Sequence, residues 1–338
     1  MKFKLIIISL FLFRFIIADE SGISGAFTDV GYSVKSISMG SVQSTLNEGA
    51  MSSLLNPASL PIQDAKHSIY FNSFKHMGIF NYTVFAYSTS VYKNIPLGVM
   101  VISSGDKAWS ENQLGLSAGY RGLMDGLSLG ITLNMLLTSF GNNQDGSLII
   151  DGVEQQVSGS GIGFGINGGA QFQFVKNQQV ALVIKNIFSM VGYDSEGGGE
   201  DDEGNNYAEG NYSEAIPAQY ILGYRISNES STIHFDIVDA ISGNNPAEIR
   251  IGSEWKMDWF NINKEIVRLR FGYRSELMSG DNAVYSIGTG FNYDQNVYGT
   301  GLLFLLYVDR IGLNLGYLFR PGWNDMSELR FEIKFEIN

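Results

Sequence analysis

Between Lys66 and the C-terminus the chain alternates apolar and polar residues with period two, segment after segment. In QLGLSAGYR the apolar phase is Leu114, Leu116, Ala118 and Tyr120; in GLSLGITLNMLLTS it runs from Leu127 to Leu137, with Leu136 the one exception. In AEIRIGSEWKM, Ile249, Ile251 and Trp255 oppose Glu248, Arg250, Glu254 and Lys256, and in VRLRFGYR, Val267, Leu269, Phe271 and Tyr273 oppose Arg268, Arg270 and Arg274. The final ELRFEIKFEI sets Leu329, Phe331, Ile333, Phe335 and Ile337 against Arg330, Glu332, Lys334 and Glu336. Successive side chains of a strand point to opposite faces, so the pattern predicts strands almost throughout.

About fourteen such segments can be counted, near 67–74, 79–92, 95–104, 112–121, 125–140, 160–175, 178–190, 217–227, 231–240, 246–257, 265–275, 283–293, 300–319 and 328–337. They approach the ~10 residues of membrane strands and exceed the ~5 to 6 usual in soluble sheets. Long or polar links (141–159, 191–216, 276–282) follow odd-numbered segments, and short ones (93–94, 122–124, 176–177, 228–230) follow even-numbered ones. Outer loops and periplasmic turns alternate in this way. The chain therefore reads as all-β: a transmembrane antiparallel β-barrel of about fourteen strands, apolar side toward lipid, charged side toward the lumen.

The inward charges Glu248, Arg250, Glu254, Arg268, Arg270, Arg330 and Glu332 are expected to form a luminal ion-pair network. The thirteenth segment keeps its phase across Asp309 and, read as one strand, aims Leu302, Phe304 and Leu306 inward as an apolar lumen strip. A turn at Asp309-Arg310 would instead split it and spoil the even count. Aromatics near segment ends, among them Tyr82, Tyr120, Tyr224, Trp255, Tyr273 and Tyr317, suit an interfacial girdle.

Composition narrows the chemistry. With no Cys there is no disulfide, thiolate metal site, cysteine nucleophile or Cys-linked lipid, and three His (His67, His76, His234) do not suggest a metal centre. No cofactor or metal is expected. A net charge of −12 disfavours nucleic acid as a partner. The opening MKFKLIIISLFLFRFIIADE has two Lys, an apolar run from Leu5 to Ala18 and then Asp19 and Glu20, the layout of a signal peptide at 1–18. Residues 19–66 do not alternate; they are rich in small residues, predict one short helix near Leu46–Leu55, and suit a plug inside the barrel formed by 67–338.

Within that stretch, SVKSISMGSVQSTLNEGAMSSLLNPASL resembles the N-terminal motif of the FadL-like outer-membrane transporters (FadL and TodX type) and of their shorter PorV- and PorQ-like relatives. The matching positions are Met39 and Gly40, then Asn56, Pro57 and Ala58; Ser59 stands where the family usually has Gly. VALVIKNI and IPAQYILGYRI also look like the shorter branch, so the resemblance covers most of the mature chain. It implies a fourteen-stranded barrel in a Gram-negative-type outer membrane, closed by an N-terminal hatch that carries the Asn-Pro-Ala motif. Hydrophobic compounds would enter from outside and leave through a side opening.

Three other motifs carry less. GFGING (Gly163 to Gly168) spells a dinucleotide fingerprint but lies inside a predicted strand, where its glycines more simply leave room for the hatch. The carboxylates between Asp194 and Glu214 lack the spacing of a calcium loop and read as a solvated outer loop. His234 and Asp236 share the inward phase of an acid/base pair, but no nucleophile elbow accompanies them, and no enzyme is expected. The resemblance leaves two functions open beside a plain exported β-protein. One is uptake of hydrophobic compounds such as long-chain fatty acids; the other is a PorV-like partnership with exported proteins or a secretion translocon. In both, outer-membrane lipid surrounds the wall.

Overall fold

A computed structural model describes residues 30–337 apart from 77, 91–94, 107, 142–147, 151–152, 156, 198–209, 241–246, 258–266, 278–282, 299–306 and 321–326. The predicted signal peptide, the strip Leu302, Phe304 and Leu306, and most of the acidic outer loop lie outside the described residues. The strands are β1 (His67–His76), β2 (Phe80–Thr89), β3 (Leu97–Gly105), β4 (Trp109–Arg121), β5 (Leu127–Phe140), β6 (Leu148–Ile150), β7 (Val153–Gln155), β8 (Val157–Val175) and β9 (Gln178–Lys185). They continue as β10 (Met190–Gly197), β11 (Gly210–Ala215), β12 (Gln219–Ser227), β13 (Ser231–Ala240), β14 (Glu248–Met257), β15 (Val267–Glu276), β16 (Val284–Tyr298), β17 (Tyr307–Phe319) and β18 (Glu328–Ile337).

Neighbours in sequence pair antiparallel around one sheet, and β1 pairs with β18, His67 opposite Ile337. The two ends of the order also meet, because β8 pairs with β9 through Gly168↔Ile184 and with β10 through Phe164↔Met190. β10 thus continues β9 outward, and β11 continues β12, so fourteen strand positions close the ring. β6 and β7 form a separate small hairpin. Closure pairs the wall strands on both sides, except that among the described residues β11 pairs with β10 alone, and closed pairing is the condition for strands to cross a bilayer. Among the described residues no helix is long and apolar enough to do so.

Exposure answers which face is lipid-facing. Leu329 and Phe331 of β18 are 67% and 51% exposed, whereas Arg330 and Glu332 are 2% and 1% exposed. The same division holds for Leu116, Leu133, Phe164, Leu222 and Ile287, all large, apolar and exposed on the outside. An apolar belt around a full circumference far exceeds the patches that soluble monomers carry. Of the expected girdle, Tyr120, Trp255 and Tyr317 face outward, but Tyr82 does not; it is buried inside, stacked on Phe74 at 5.4 Å.

The strand prediction held in position and phase, with differences at the outer end. The expected loop 141–159 ends earlier, because β8 starts at Val157, and 191–216 begins later and ends earlier, because β10 and β11 extend the wall beyond the predicted segments. Asp309 and Arg310 lie within β17, not in a turn, and the fourteen-strand count stands.

An arginine at an outward position near mid-wall, Leu133→Arg, should destabilise the lipid-folded barrel by about 2–4 kcal/mol. Urea titration in lipid vesicles, read by tryptophan fluorescence, measures the shift. The wild-type chain should run faster on a gel unboiled than boiled.

Candidate functional site: a segment docked inside the barrel

Residues 30–66 are almost wholly buried and are bound by side chains that the wall turns inward. The helix predicted near Leu46–Leu55 is only α2 (Ser52–Leu55) with a 3-10 turn before it. Two further elements were not predicted: α1 (Val34–Ile37), capped by Ser33, and a 3-10 helix at Pro57–Ile62. Such short pieces cannot persist alone, so tertiary contacts hold them.

Many of those contacts are close approaches to inward glycines, with Gly130 against Pro57 and Gly272 against Gly40 backbone against backbone. A Cβ on Gly119 would lie 2.6 Å from Pro61, and one on Gly252 would lie 2.5 Å from Met39. Gly130 meets Pro57, Gly169 meets Asn56, Gly223 meets Ser44, Gly272 meets Gly40, and Gly288 and Gly316 both meet Ser38. The collar spans strands from β4 to β17, so the wall has given up side chains wherever the segment passes. The glycines of GFGING were expected to do this; instead Gly163 and Gly165 accommodate Val191 and Ser189 of the adjacent wall, and Gly169 beyond them receives the segment.

The motif residues hold the segment's own shape. Asn56 is extended (φ −157°, ψ 106°), as the residue before Pro should be. Its Oδ1 accepts from Ala58 N at 3.0 Å and its Nδ2 donates to Ser44 O at 2.6 Å, so one side chain caps the Pro57 turn and ties it to an earlier loop. Gln171 of β8 donates to the same Ser44 carbonyl at 2.9 Å and to Ser59 Oγ at 2.6 Å. Ser59 therefore serves as an anchor. Met39 is fully buried, and Gly40, at φ +67°, donates its N–H to Ser286 Oγ at 2.9 Å.

Two carboxylates clamp the segment from different strands. Glu332 of β18 accepts from Val34 N and from Tyr70 Oη, both at 2.5 Å, at the first turn of α1. Asp236 of β13 accepts from Gln43 N at 2.7 Å, Ser44 N at 3.1 Å and Ser44 Oγ at 2.5 Å. Neighbouring His234 pairs through Nδ1 with Thr45 Oγ1 at 2.8 Å. The suspected acid/base pair thus grips the segment, and its hydrogen-bonding atoms face no open cleft. Charge-assisted bonds to backbone N–H are among the stronger kinds.

The expected charges are brought together, in more than one group. Glu254 bonds Arg270 at 2.7 Å and Arg268 at 3.1 Å; Arg270 reaches Asn314 at 2.6 Å, and Asn314 reaches Glu332 at 2.5 Å. That chain joins β14, β15, β17 and β18 to α1. Lys35 of the segment pairs with Glu48 at 2.7 Å. Arg250 pairs with Glu248 at 2.8 Å and donates to Ser41 O at 3.2 Å. Arg330 sits over the Phe74 ring at 3.8 Å, pairs with Glu328 and donates to Gly31 O. Sequence reasoning found the wall charges by their phase but missed Tyr70, Gln171 and Asn72, whose Nδ2 donates to Tyr32 O at 2.9 Å; these are ordinary polar residues whose partners lie in another element.

The inward apolar residues divide by what covers them. Tyr70, Phe74, Tyr82, Val84, Ala86, Met100 and Ile102 of β1 to β3 pack on Leu46, Met51, Leu54 and Leu55 of the segment. Two other groups pack without it: Val183, Ile221 and Val238, and Leu136, Val191, Tyr193 and Ile216. Between these groups the wall is interrupted. From Gly168↔Ile184 to Phe164↔Met190, β8 advances 4 residues and its partner 6, so two extra residues bulge near Asn186–Ser189. Asn186 has φ +54°, and on the next strand Ile216–Ala218, with Pro217, separates β11 from β12. Phe188 is 76% exposed at this break.

No family model and no curated protein matches the sequence. Solved structures do match in fold. The toluene transporter TbuX of Ralstonia pickettii shares 12% identity at a TM-score of 0.58, over 92% of this chain and 100% of that one. A FadL homologue of Pseudomonas aeruginosa shares 10% at 0.56, over 91% and 98%. The monoaromatic hydrocarbon channel CymD shares 15% at 0.55, over 91% and 97%. The chain has the fold of these proteins over nearly its whole length.

Replacing Gly272 by Val should unseat the segment, because any Cβ there overlaps the Gly40 backbone. Limited proteolysis should cut residues 30–66 in the variant but not in wild type, while both remain heat-modifiable. Gly192→Ala, whose Cβ would have only Ile162 O at 3.9 Å, is the control and should behave as wild type.

Proposed function

We propose that this protein is an outer-membrane barrel of a Gram-negative-type envelope that takes up hydrophobic compounds, long-chain-fatty-acid-like molecules among them, past a hatch formed by its N-terminal segment. Residues 1–18 serve as the signal peptide, 19–66 as the hatch and 67–338 as the barrel. The observation that carries the reading is the pairing of a lumen occupied by residues 30–66 with inward apolar clusters that pack without that segment on both sides of a wall bulge. A compound that cannot be held in a polar lumen needs apolar surroundings and a weak point in the wall, and the bulge at Asn186–Ser189 supports that reading. The shared fold with a toluene transporter and a hydrocarbon channel supports it. Met39, Gly40, Asn56, Pro57 and Ala58 shape the hatch, and Arg268, Glu254, Arg270 and Glu332 hold it against the wall. The secretion-partner reading draws on outer loops that lie largely outside the described residues, and no observed contact favours it.

Cells with an intact outer membrane that produce the protein should accumulate radiolabelled toluene or oleate faster than cells without it. Equal rates for both compounds would overturn the proposal. Asn56→Ala, which removes both hatch bonds of that side chain, should raise ion conductance in planar bilayers above the wild-type level.

A further inference from the structure

At the end of the barrel that carries the short turns, the inner wall holds two buried donors without acceptors. Register places Gln173, Gln179, Arg225 and His234 in one row across β8, β9, β12 and β13. The row lies beside the turns at 176–177 and 228–230. Arg225 shares the phase of Gly223, which receives Ser44, and Gln179 shares that of buried Ala181 and Val183, so both side chains belong to the lumen face. Arg225 Nε and Gln179 Nε2 are buried, and neither has a hydrogen-bond partner among the described residues. Gln179 is 2% exposed, whereas Arg225 is only partly buried, so water reaches the row from the mouth.

The carboxylates nearest to these donors along the strands are already taken. Asp236, the next inward residue of β13, spends its oxygens on Gln43 N, Ser44 N and Ser44 Oγ. Glu254, opposite Thr232 on β14, is held by Arg268 and Arg270. His234 stands across from Arg225 with its Nδ1 committed to Thr45 Oγ1. A guanidinium stays charged and presents its donors as a planar fork that matches a carboxylate, and a buried donor left unmet is costly. One step deeper stand Ala181 and Gly223, so an apolar tail would find nothing to lie on. The missing partner is therefore compact, singly charged and rich in oxygen.

We propose that Arg225 and Gln179 form a binding site for a small, water-soluble carboxylate that enters from the periplasmic mouth, with Arg225 Nε and the Gln179 amide donating to its oxygens. The inference does not depend on the uptake reading. The site adjoins the His234–Thr45 contact, so a bound anion sits beside the point where β13 holds the hatch.

The test is carbon-13 NMR of carboxyl-labelled acetate, titrated against the detergent-solubilised full-length protein at constant ionic strength in chloride. With wild type the acetate line should broaden saturably. Arg225→Gln should weaken the affinity by about tenfold or more, and Gln179→Leu, which leaves the charge in place, by roughly three- to tenfold, with heat-modifiability retained. Lys176→Gln removes the same charge from the exposed turn nearby and should bind as wild type does. Broadening that does not saturate would overturn the site; Gln179 then turns its Oε1 to Arg225 and completes the pair without a ligand. Variants of Arg225 and Gln179 that bind acetate like wild type, or an equal loss in Lys176→Gln, would overturn it as well. Tighter binding of inorganic phosphate than of acetate, read from the phosphorus line, would overturn the assignment to carboxylates.

Discussion

The pairing of β1 with β18 is the contact on which the rest depends. It joins residues some 260 positions apart, such as Asn72 and Glu332, and by closing the ladder it divides the molecule into an outside that meets only lipid and an inside that lipid cannot reach. Once that division exists, each strand's alternation has one meaning. Apolar residues go out because no other solvent awaits them, and charges go in because a carboxylate facing hydrocarbon is costly.

An interior formed in this way has its own problem: it is narrow, lined with Arg, Glu, Asn and Ser, and must pair what it buries. The chain solves this with its own first residues. Where the N-terminal segment presents apolar side chains, β1 to β3 answer with Tyr, Phe, Met and Ile; where it presents bare backbone, the opposite walls answer with glycines, carboxylates and amides. The same segment is thus packed as a protein core on one side and hydrogen-bonded as a peptide ligand on the other. The apolar groups near β9 to β13 pack on one another, apart from the segment.

Much of this was legible in the sequence, and the reason is periodicity. Strand existence, order, phase and closure follow from a repeat of two that extends from Ile69 to Ile337 and from the parity of the links. The inward charges followed from the same phase, and Asn56-Pro57-Ala58 from a local resemblance. The partners did not follow. That Asp236 holds the Ser44 loop, or that Gly272 makes way for Gly40, depends on where two distant elements meet across a lumen, and no local pattern encodes it. The apolar inner strip expected at Leu302, Phe304 and Leu306 lies outside the described residues; among the described ones, Leu136, which had registered only as a lapse in alternation, packs inside with Val191 and Tyr193, which had been assigned to a loop.

The seating of α1 also bears on the order in which the molecule can be assembled. Gly31 and Val34 are held by Arg330 and Glu332 of β18, the strand that closes the ring on β1. The segment therefore has no complete resting place until β18 has paired, and a chain without β18 loses its seal as well as its ring.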